Sequence, residues 1–286
     1  MRVIHSVAEM RSVWKQWQRE GAEVGLVPTM GALHEGHLSL VRASKLSCAR
    51  TVVSIFVNPL QFGPQEDFAQ YPRTLEEDCR LLETVGADVV FAPNTNEMYP
   101  STPQTIVDVP KIGGRLDGAF RQGHFRGVAT VVSKLFNIVR PNRAFFGQKD
   151  AAQVAVLKAM VRDLNYDVEM VICPIVRESG GLAMSSRNRY LTEKERCEAA
   201  CLSRALERVQ QAVADGVTSI PALGAVLRDE LSAEPALQVE YAEIVDPDSL
   251  IAVYELLPQT LVAVAARVGS TRLIDNCVVY GREVAS

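Results

Sequence analysis

The sequence predicts an α/β protein, with a Rossmann-like parallel-sheet domain followed by a smaller α+β domain that carries an antiparallel sheet. Three observations lead there. Up to about residue 176, short apolar runs rich in Val and Ile alternate with stretches of helical spacing, the pattern of a parallel sheet covered on both faces. Later, apolar runs follow one another without crossover helices, as in a small antiparallel sheet. Between the two patterns lies the polar, flexible stretch Arg177-Glu178-Ser179-Gly180-Gly181, which divides the chain into domains 1–176 and 177–286.

Each element has its own signal. Ser6 with Glu9 makes a capping box and opens a helix that stops at Gly21. Residues 24–27 form a buried strand ended by Pro28. The next helix begins near Glu35 or Gly36 and ends before Arg50, and the β-branched run 51–57 is a strand stopped by Asn58-Pro59. Helical spacing over 75–85, a strand at 88–91, a helix over 130–139, a strand at 144–146, a helix over 150–164 and a strand at 168–173 complete the alternation. Past the boundary, Thr192 with Glu195 is a second capping box. Leu202, Ala205, Leu206, Val209 and Val213 then make one apolar stripe on a long helix ended at Gly216. Strands at 238–245, 260–268 and 273–280 follow, with Gly269-Ser270 as a hairpin turn.

Composition narrows the function classes. With 286 residues, 48% hydrophobic and 22% charged, the chain has ordinary globular make-up and room for one large or two modest domains. Its net charge of −4 offers no general positive field for DNA or RNA, so any phosphate recognition must be local. The first residues lack the layout of a signal peptide, and the apolar runs 51–57 and 261–266 fall far short of the roughly 20 residues of a membrane helix. A soluble cytoplasmic protein with neither membrane nor nucleic-acid partners is expected. Six cysteines contain no CxxC pair and read as buried free thiols, with Cys197 and Cys201 on one helical face.

The most informative stretch is Met30-Gly31-Ala32-Leu33-His34-Glu35-Gly36-His37, between a predicted strand and a predicted helix. Free backbone N–H groups and the positive helix end converge there, which suits a phosphate. Gly31 and Gly36 allow close backbone approach, and His34 and His37 stand three residues apart, where both imidazoles can donate to one triphosphate. Zinc ligation or a structural role are the competing readings of this histidine pair. Lys149, in Gly147-Gln148-Lys149-Asp150 at a second strand-to-helix junction, offers a point charge for phosphate or is a solvated surface lysine. Ser185, Ser186 and Arg187 supply two hydroxyls and a guanidinium fork, or form a polar interdomain turn. Gln61 lies just past a strand end and Gln153 in the first turn of the helix after Lys149, where amides suit a hydroxy acid; alone, either reads as an exposed polar residue. Residues 113–115 and 121–127 read as a glycine-rich basic loop covering the site. Glu76, Glu77 and Asp78 fit the start of a helix electrostatically and are left out of the site.

These strings resemble a known family. His34-Glu35-Gly36-His37 is similar to the His-x-Gly-His signature of nucleotidyltransferases related to class I aminoacyl-tRNA synthetases, and the longer string from Pro28 to Leu40 resembles the pantoate–β-alanine ligase family. So do Phe56-Val57-Asn58-Pro59-Leu60-Gln61-Phe62-Gly63, Asp67-Phe68, Tyr71-Pro72-Arg73, Gly123-His124-Phe125-Arg126-Gly127-Val128, Phe146-Gly147-Gln148-Lys149-Asp150 and Met184-Ser185-Ser186-Arg187-Asn188. They stand in the family's order over about residues 30 to 190.

The resemblance implies condensation of (R)-pantoate with β-alanine to give pantothenate, AMP and pyrophosphate, through a pantoyl adenylate. It implies ATP as substrate and Mg²⁺ held mainly through the ATP phosphates, with no residue assigned as a metal ligand. His37, His34, Lys149 and Arg187 would be catalytic. Met30 to His37, Gly147 to Asp150, Val176 (through its backbone, near adenine) and Met184 to Arg187 would bind ATP. Gln61 and Gln153 would hold pantoate, with Gln61 also near β-alanine. The C-terminal domain would close over the site, with Met184 to Arg187 as its mobile phosphate loop, and the enzyme would be a homodimer. The rival readings are another nucleotidyltransferase with the same signature and a nucleotide-binding module without turnover.

Overall fold

The apolar runs of the N-terminal part form six parallel strands, β1 (Arg2–Ile4), β2 (Val24–Thr29), β3 (Arg50–Ile55), β4 (Val89–Phe91), β5 (Arg143–Gly147) and β6 (Glu169–Cys173). Their spatial order is β1-β4-β3-β2-β5-β6, and every neighbouring pair is parallel. The chain steps from β2 to one side of the sheet and later returns to its other side, so β2 and β5 flank a topological switch point, where open α/β sheets bind ligands at their carboxyl ends. The computed structural model describes residues 1–64, 66 and 68–281; Asp67, part of one family string, lies outside the described residues.

Helices α1 (Val7–Arg19), α2 (Glu35–Ser47) and α3 (Leu75–Thr84) connect the first four strands. Three one-turn helices, α4 (Thr95–Met98), α5 (Pro110–Gly113) and α6 (Asp117–Phe120), precede α7 (His124–Val139), and α8 (Ala151–Asp163) joins β5 to β6. Alternation along the strands gives the sheet two buried faces. On one, Val27, Val53, Val90 and Phe145 pack with Leu38 and Val41 of α2 and Leu82 of α3. Leu26, Val52, Phe91 and Ala144 are equally buried and point the other way, toward the face where α7 lies over β2.

The chain forms two compact units, one of Met1–Gly147 with Val156–Pro174 and the other of Gln148–Ala155 with Ile175–Ser286. In the second unit, α9 (Glu193–Ala199), α10 (Cys201–Ala214) and α11 (Ile220–Ser232) accompany the antiparallel strands β7 (Leu237–Val245), β8 (Thr260–Val268) and β9 (Thr271–Val279), in the order β7-β8-β9. Leu202, Leu206 and Val209 of α10 and Leu223, Leu227 and Leu231 of α11 pack against Val262, Val264, Leu273 and Val279. Among the described residues no helix is long and apolar enough to cross a membrane.

The fold class matches the expectation, and four details correct it. Strand β1 is only three residues long and escapes any periodicity window. Helix α7 begins at His124, so residues 124–127, expected as loop, are helical. Gly127 serves close packing there, since a Cβ would stand 2.2 Å from the Leu60 carbonyl oxygen. Helix α11 has no counterpart in the sequence expectation, although Ser219 caps it and a proline in its first turn is permitted. Cys197 is exposed, whereas Cys201 is buried on the next helix.

Candidate active site

The turn after β2 is held by side chains from two directions. Thr29 Oγ1 donates to the Ser54 carbonyl at 2.8 Å and accepts the Gly31 N–H at 3.2 Å. Gly31 has φ +83°, and a Cβ on it would meet the Asp78 carboxylate at 3.0 Å and Ile55 at 3.1 Å, so glycine is favoured on both counts. Ala32 follows at φ +51°, a left-handed conformation that is strained for alanine. Asp78, reaching across from α3, holds this bend: Oδ2 accepts the Ala32 N–H at 3.1 Å and Oδ1 the Leu33 N–H at 2.8 Å. Thr74 Oγ1 adds a third bond at 3.2 Å. Asp78 is 1% exposed, and burial pushes its carboxyl up from the ordinary value, opposed by these bonds.

His34 is the residue from which α2 begins, and its ring lies 4.1 Å, centroid to centroid, from that of His37. The His37 Nδ1 accepts the His34 backbone N–H at 3.4 Å. In neutral His37 the proton therefore sits on Nε2. The carboxylate of Glu35 pairs with Arg42, and the Gly36 carbonyl accepts from Ser39 Oγ at 2.7 Å. A cavity of about 290 Å³ adjoins this turn, lined by Met30, Gly31, Phe56, Arg73, Asp78 and Asn94 among others.

Gln61 sits on a one-turn 3-10 helix (Pro59–Gln61) and is 8% exposed, against the surface position that its residue type suggests. Asn58 Nδ2 donates to Gln61 Oε1 at 3.1 Å and to the Gly127 carbonyl at 3.0 Å, while Asn58 Oδ1 accepts from the Tyr99 hydroxyl at 2.9 Å. This fixes the amide with Nε2 against the Met30 sulfur at 3.2 Å, so Met30 and Gln61 are brought together. The backbone of Gln61 is held too. His124 Nδ1 lies 2.8 Å from the Gln61 carbonyl and its Nε2 3.0 Å from the guanidinium of Arg121, which in turn makes bonds of 2.8 and 2.7 Å to Glu66. Arginine can only donate, so His124 is neutral with its proton on Nδ1. Burial, then the charge of Arg121, pushes its pKa down to about 4 from 6.5, with the bond to Gln61 opposing.

Gly147 ends β5 in the first unit, and a Cβ on it would meet nothing within 4 Å. The remaining candidates belong to the second unit. Gln148, Lys149 and Asp150 form a 3-10 turn, with the Lys149 ammonium 3.4 Å from the Asp150 carboxylate. Gln153, half-buried, lies in the first turn of α8. The Val176 carbonyl accepts the Met184 N–H at 2.9 Å, so residues 176–184 form a narrow ribbon. Ser185 caps the 3-10 helix Ser186–Tyr190, its hydroxyl accepting the Arg187 N–H at 3.3 Å. Buried Asn188 anchors that segment, donating to Glu178 at 2.7 Å and to the Ala183 carbonyl at 3.0 Å.

Sequence reasoning leaves Asp78 aside as a helix-start charge, and does not single out Asn58 or His124 individually. The signal for them is weak: Asp78 is the one acidic residue of its trio whose position in α3 faces inward.

The chain matches the family model described as "Pantoate-beta-alanine ligase" over residues 2–278. It is 55% identical to a pantothenate synthetase of Acidobacterium capsulatum, over 96% of each chain, and 53% identical to that of Koribacter versatilis, over 97% of this chain and 96% of the relative. Among solved structures it is similar to a pantothenate synthetase from Thermus thermophilus, with TM-score 0.93 and 44% identity over 98% of this chain and all of that one. It is also similar to a pantoate–β-alanine ligase from Francisella tularensis, solved with "Beta-gamma ATP" and β-alanine, with TM-score 0.79 and 30% identity over 97% of each chain.

Proposed function

The chain belongs to the pantoate–β-alanine ligase family and catalyses the ATP-dependent joining of pantoate to β-alanine in pantothenate biosynthesis; on that premise we propose how its residues divide the work. A pantoate carboxylate oxygen attacks the α-phosphorus in line, the bond to the bridging oxygen breaks, and pyrophosphate leaves with its electron pair. The β-alanine amine then attacks the acyl carbon of the pantoyl adenylate, loses a proton and expels AMP. No protein nucleophile takes part, so the protein contributes positioning and charge stabilisation.

In this reading His34 and His37 donate to phosphate oxygens, aided by the N-terminal dipole of α2. Lys149 and Arg187 bring charge to the phosphates, with Ser185 and Ser186 as further donors, and backbone groups of Met30–His37, Gly147–Asp150, Val176 and Met184 contact ATP. Gln61 and Gln153 hold pantoate. The phosphate contacts are all N–H or O–H donors or cations, a set that suits anionic oxygens rather than a divalent ion, so Mg²⁺ is placed on the ATP phosphates, where it would screen the departing pyrophosphate. Cytoplasmic location and a homodimer complete the reading.

The observation that best supports it is the clamped turn from Met30 to His37, where the two imidazoles, 4.1 Å apart, stand together at the start of α2. His37→Ala is expected to slow pantoate-dependent ATP–pyrophosphate exchange about a hundredfold or more. Unchanged turnover would overturn the role given to His37.

A further inference from the structure

The proposed ATP contacts of the second unit come from three separate stretches, Gln148–Asp150, Val176 and Met184–Arg187, and one strand touches what holds them. Asn276 on β9 is 2% exposed. Its Nδ2 donates to the carbonyls of Gln148 at 3.0 Å and Lys149 at 2.9 Å, and its Oδ1 accepts from Gln148 Nε2 at 2.9 Å. Three bonds from one side chain thus fix the turn that carries Lys149. The preceding residue, Asp275, projects to the opposite face of the strand and is also buried. It takes both terminal nitrogens of Arg177, at 2.6 and 3.1 Å, and its Oδ1 also accepts the Asn276 N–H at 2.8 Å. Arg177 follows Val176 directly. It donates to the Gly181 carbonyl at 3.0 Å and bridges to Ala183, immediately before Met184.

We propose that Asp275 and Asn276 are positioning residues for the adenylation step: Asn276 sets the Gln148–Lys149 turn, and Asp275, through Arg177, sets the ribbon from Val176 to Met184. Neither touches substrate. The pairing is more elaborate than strand packing needs, because two adjacent buried polar side chains direct their bonds at ATP-binding backbone and at the guanidinium that orders it, and the Asp275 carboxylate also holds the Asn276 backbone N–H. Burying them without those partners would cost the fold stability. This inference rests on the assignment of Lys149 and Val176 to ATP given above.

The test separates the two half-reactions. Asn276→Ala removes the donors without adding charge, and Asn276→Asp keeps the shape while turning oxygen toward both carbonyls. Each is expected to slow pantoate-dependent ATP–pyrophosphate exchange about ten- to hundredfold, the scale of a misplacement near 1 Å. Aminolysis of chemically prepared pantoyl adenylate by β-alanine, which involves no triphosphate, should stay within about twofold of the parent. Asp275→Asn should raise the KM for ATP more than that for pantoate. In the double variant with Lys149→Ala, Asn276→Ala should add little to the loss caused by Lys149→Ala, because both act through one ammonium. Equal slowing of both half-reactions, or fully additive losses, would mean that Asn276 supports only the fold and would overturn the inference. Normal exchange in Asn276→Ala when Lys149→Ala is impaired would overturn it alone. Normal exchange in Lys149→Ala would remove the underlying assignment and the inference with it.

Discussion

Replacing Asp78 with asparagine should damage both the stability and the chemistry of the protein, although Asp78 is not itself expected to touch a substrate. Its two carboxylate oxygens accept separate N–H groups, from Ala32 and from Leu33. Asparagine keeps one acceptor oxygen and presents an NH₂ in place of the other, so one buried N–H faces a donor. A buried donor left without a partner costs about 1–3 kcal/mol. Ala32 is also held in the left-handed region, a strain of order 1–3 kcal/mol that the carboxylate helps to offset. Removing a buried charge returns part of this, since burial already raises the Asp78 pKa. The net loss expected is about 2 kcal/mol, measured as a shift of the urea midpoint at constant slope. Because the same bend sets the start of α2, exchange should also fall about tenfold or more. A loss below about 0.5 kcal/mol together with unchanged kcat and KM for ATP would refute the reasoning.

Two further predictions concern Gln61. A Cβ at Gly127 would stand 2.2 Å from the Leu60 carbonyl oxygen and 2.6 Å from the Gln61 nitrogen, so Gly127→Ala should destabilise by about 1–3 kcal/mol and raise the KM for pantoate. Denaturation and steady-state kinetics on the same preparation would show whether the two effects travel together. His124, with a pKa of about 4 in the fold against 6.5 ordinarily, favours the folded state fully above pH 6.5 and loses that contribution as the pH falls toward 4. The difference corresponds to about 3 kcal/mol at the acid end. His124→Asn should flatten that part of the pH–stability curve, and an unaltered slope would contradict the neutral assignment.

Much of the architecture is local and is legible for that reason. Strand runs, the Ser6 cap, the Thr192–Glu195 capping box and the Gly269-Ser270 hairpin each depend on residues a few positions apart; Ser6 and Thr192 accept their expected N–H groups, although Glu9 pairs with Arg2 rather than completing a box at Ser6. The chemistry-bearing strings are legible as residue types at strand-to-helix junctions. What supports them is not, because support is tertiary. Asp78 binds a turn 45 residues earlier, Asn276 a turn 128 residues earlier, and neither leaves a trace in spacing. Gln61 reads as a surface glutamine because the residues packed against it, Met30, His124 and Gly127, are distant in the chain. Gly127 misleads in the other direction, its lack of a side chain reflecting close packing inside a helix rather than a loop.

The most direct test of the account is isotope exchange between labelled pyrophosphate and ATP with pantoate present and β-alanine absent. An adenylate mechanism predicts label in ATP that depends on pantoate and disappears when pantoate is withheld. Absence of exchange under saturating Mg²⁺, or exchange that appears only once β-alanine is added, would contradict it.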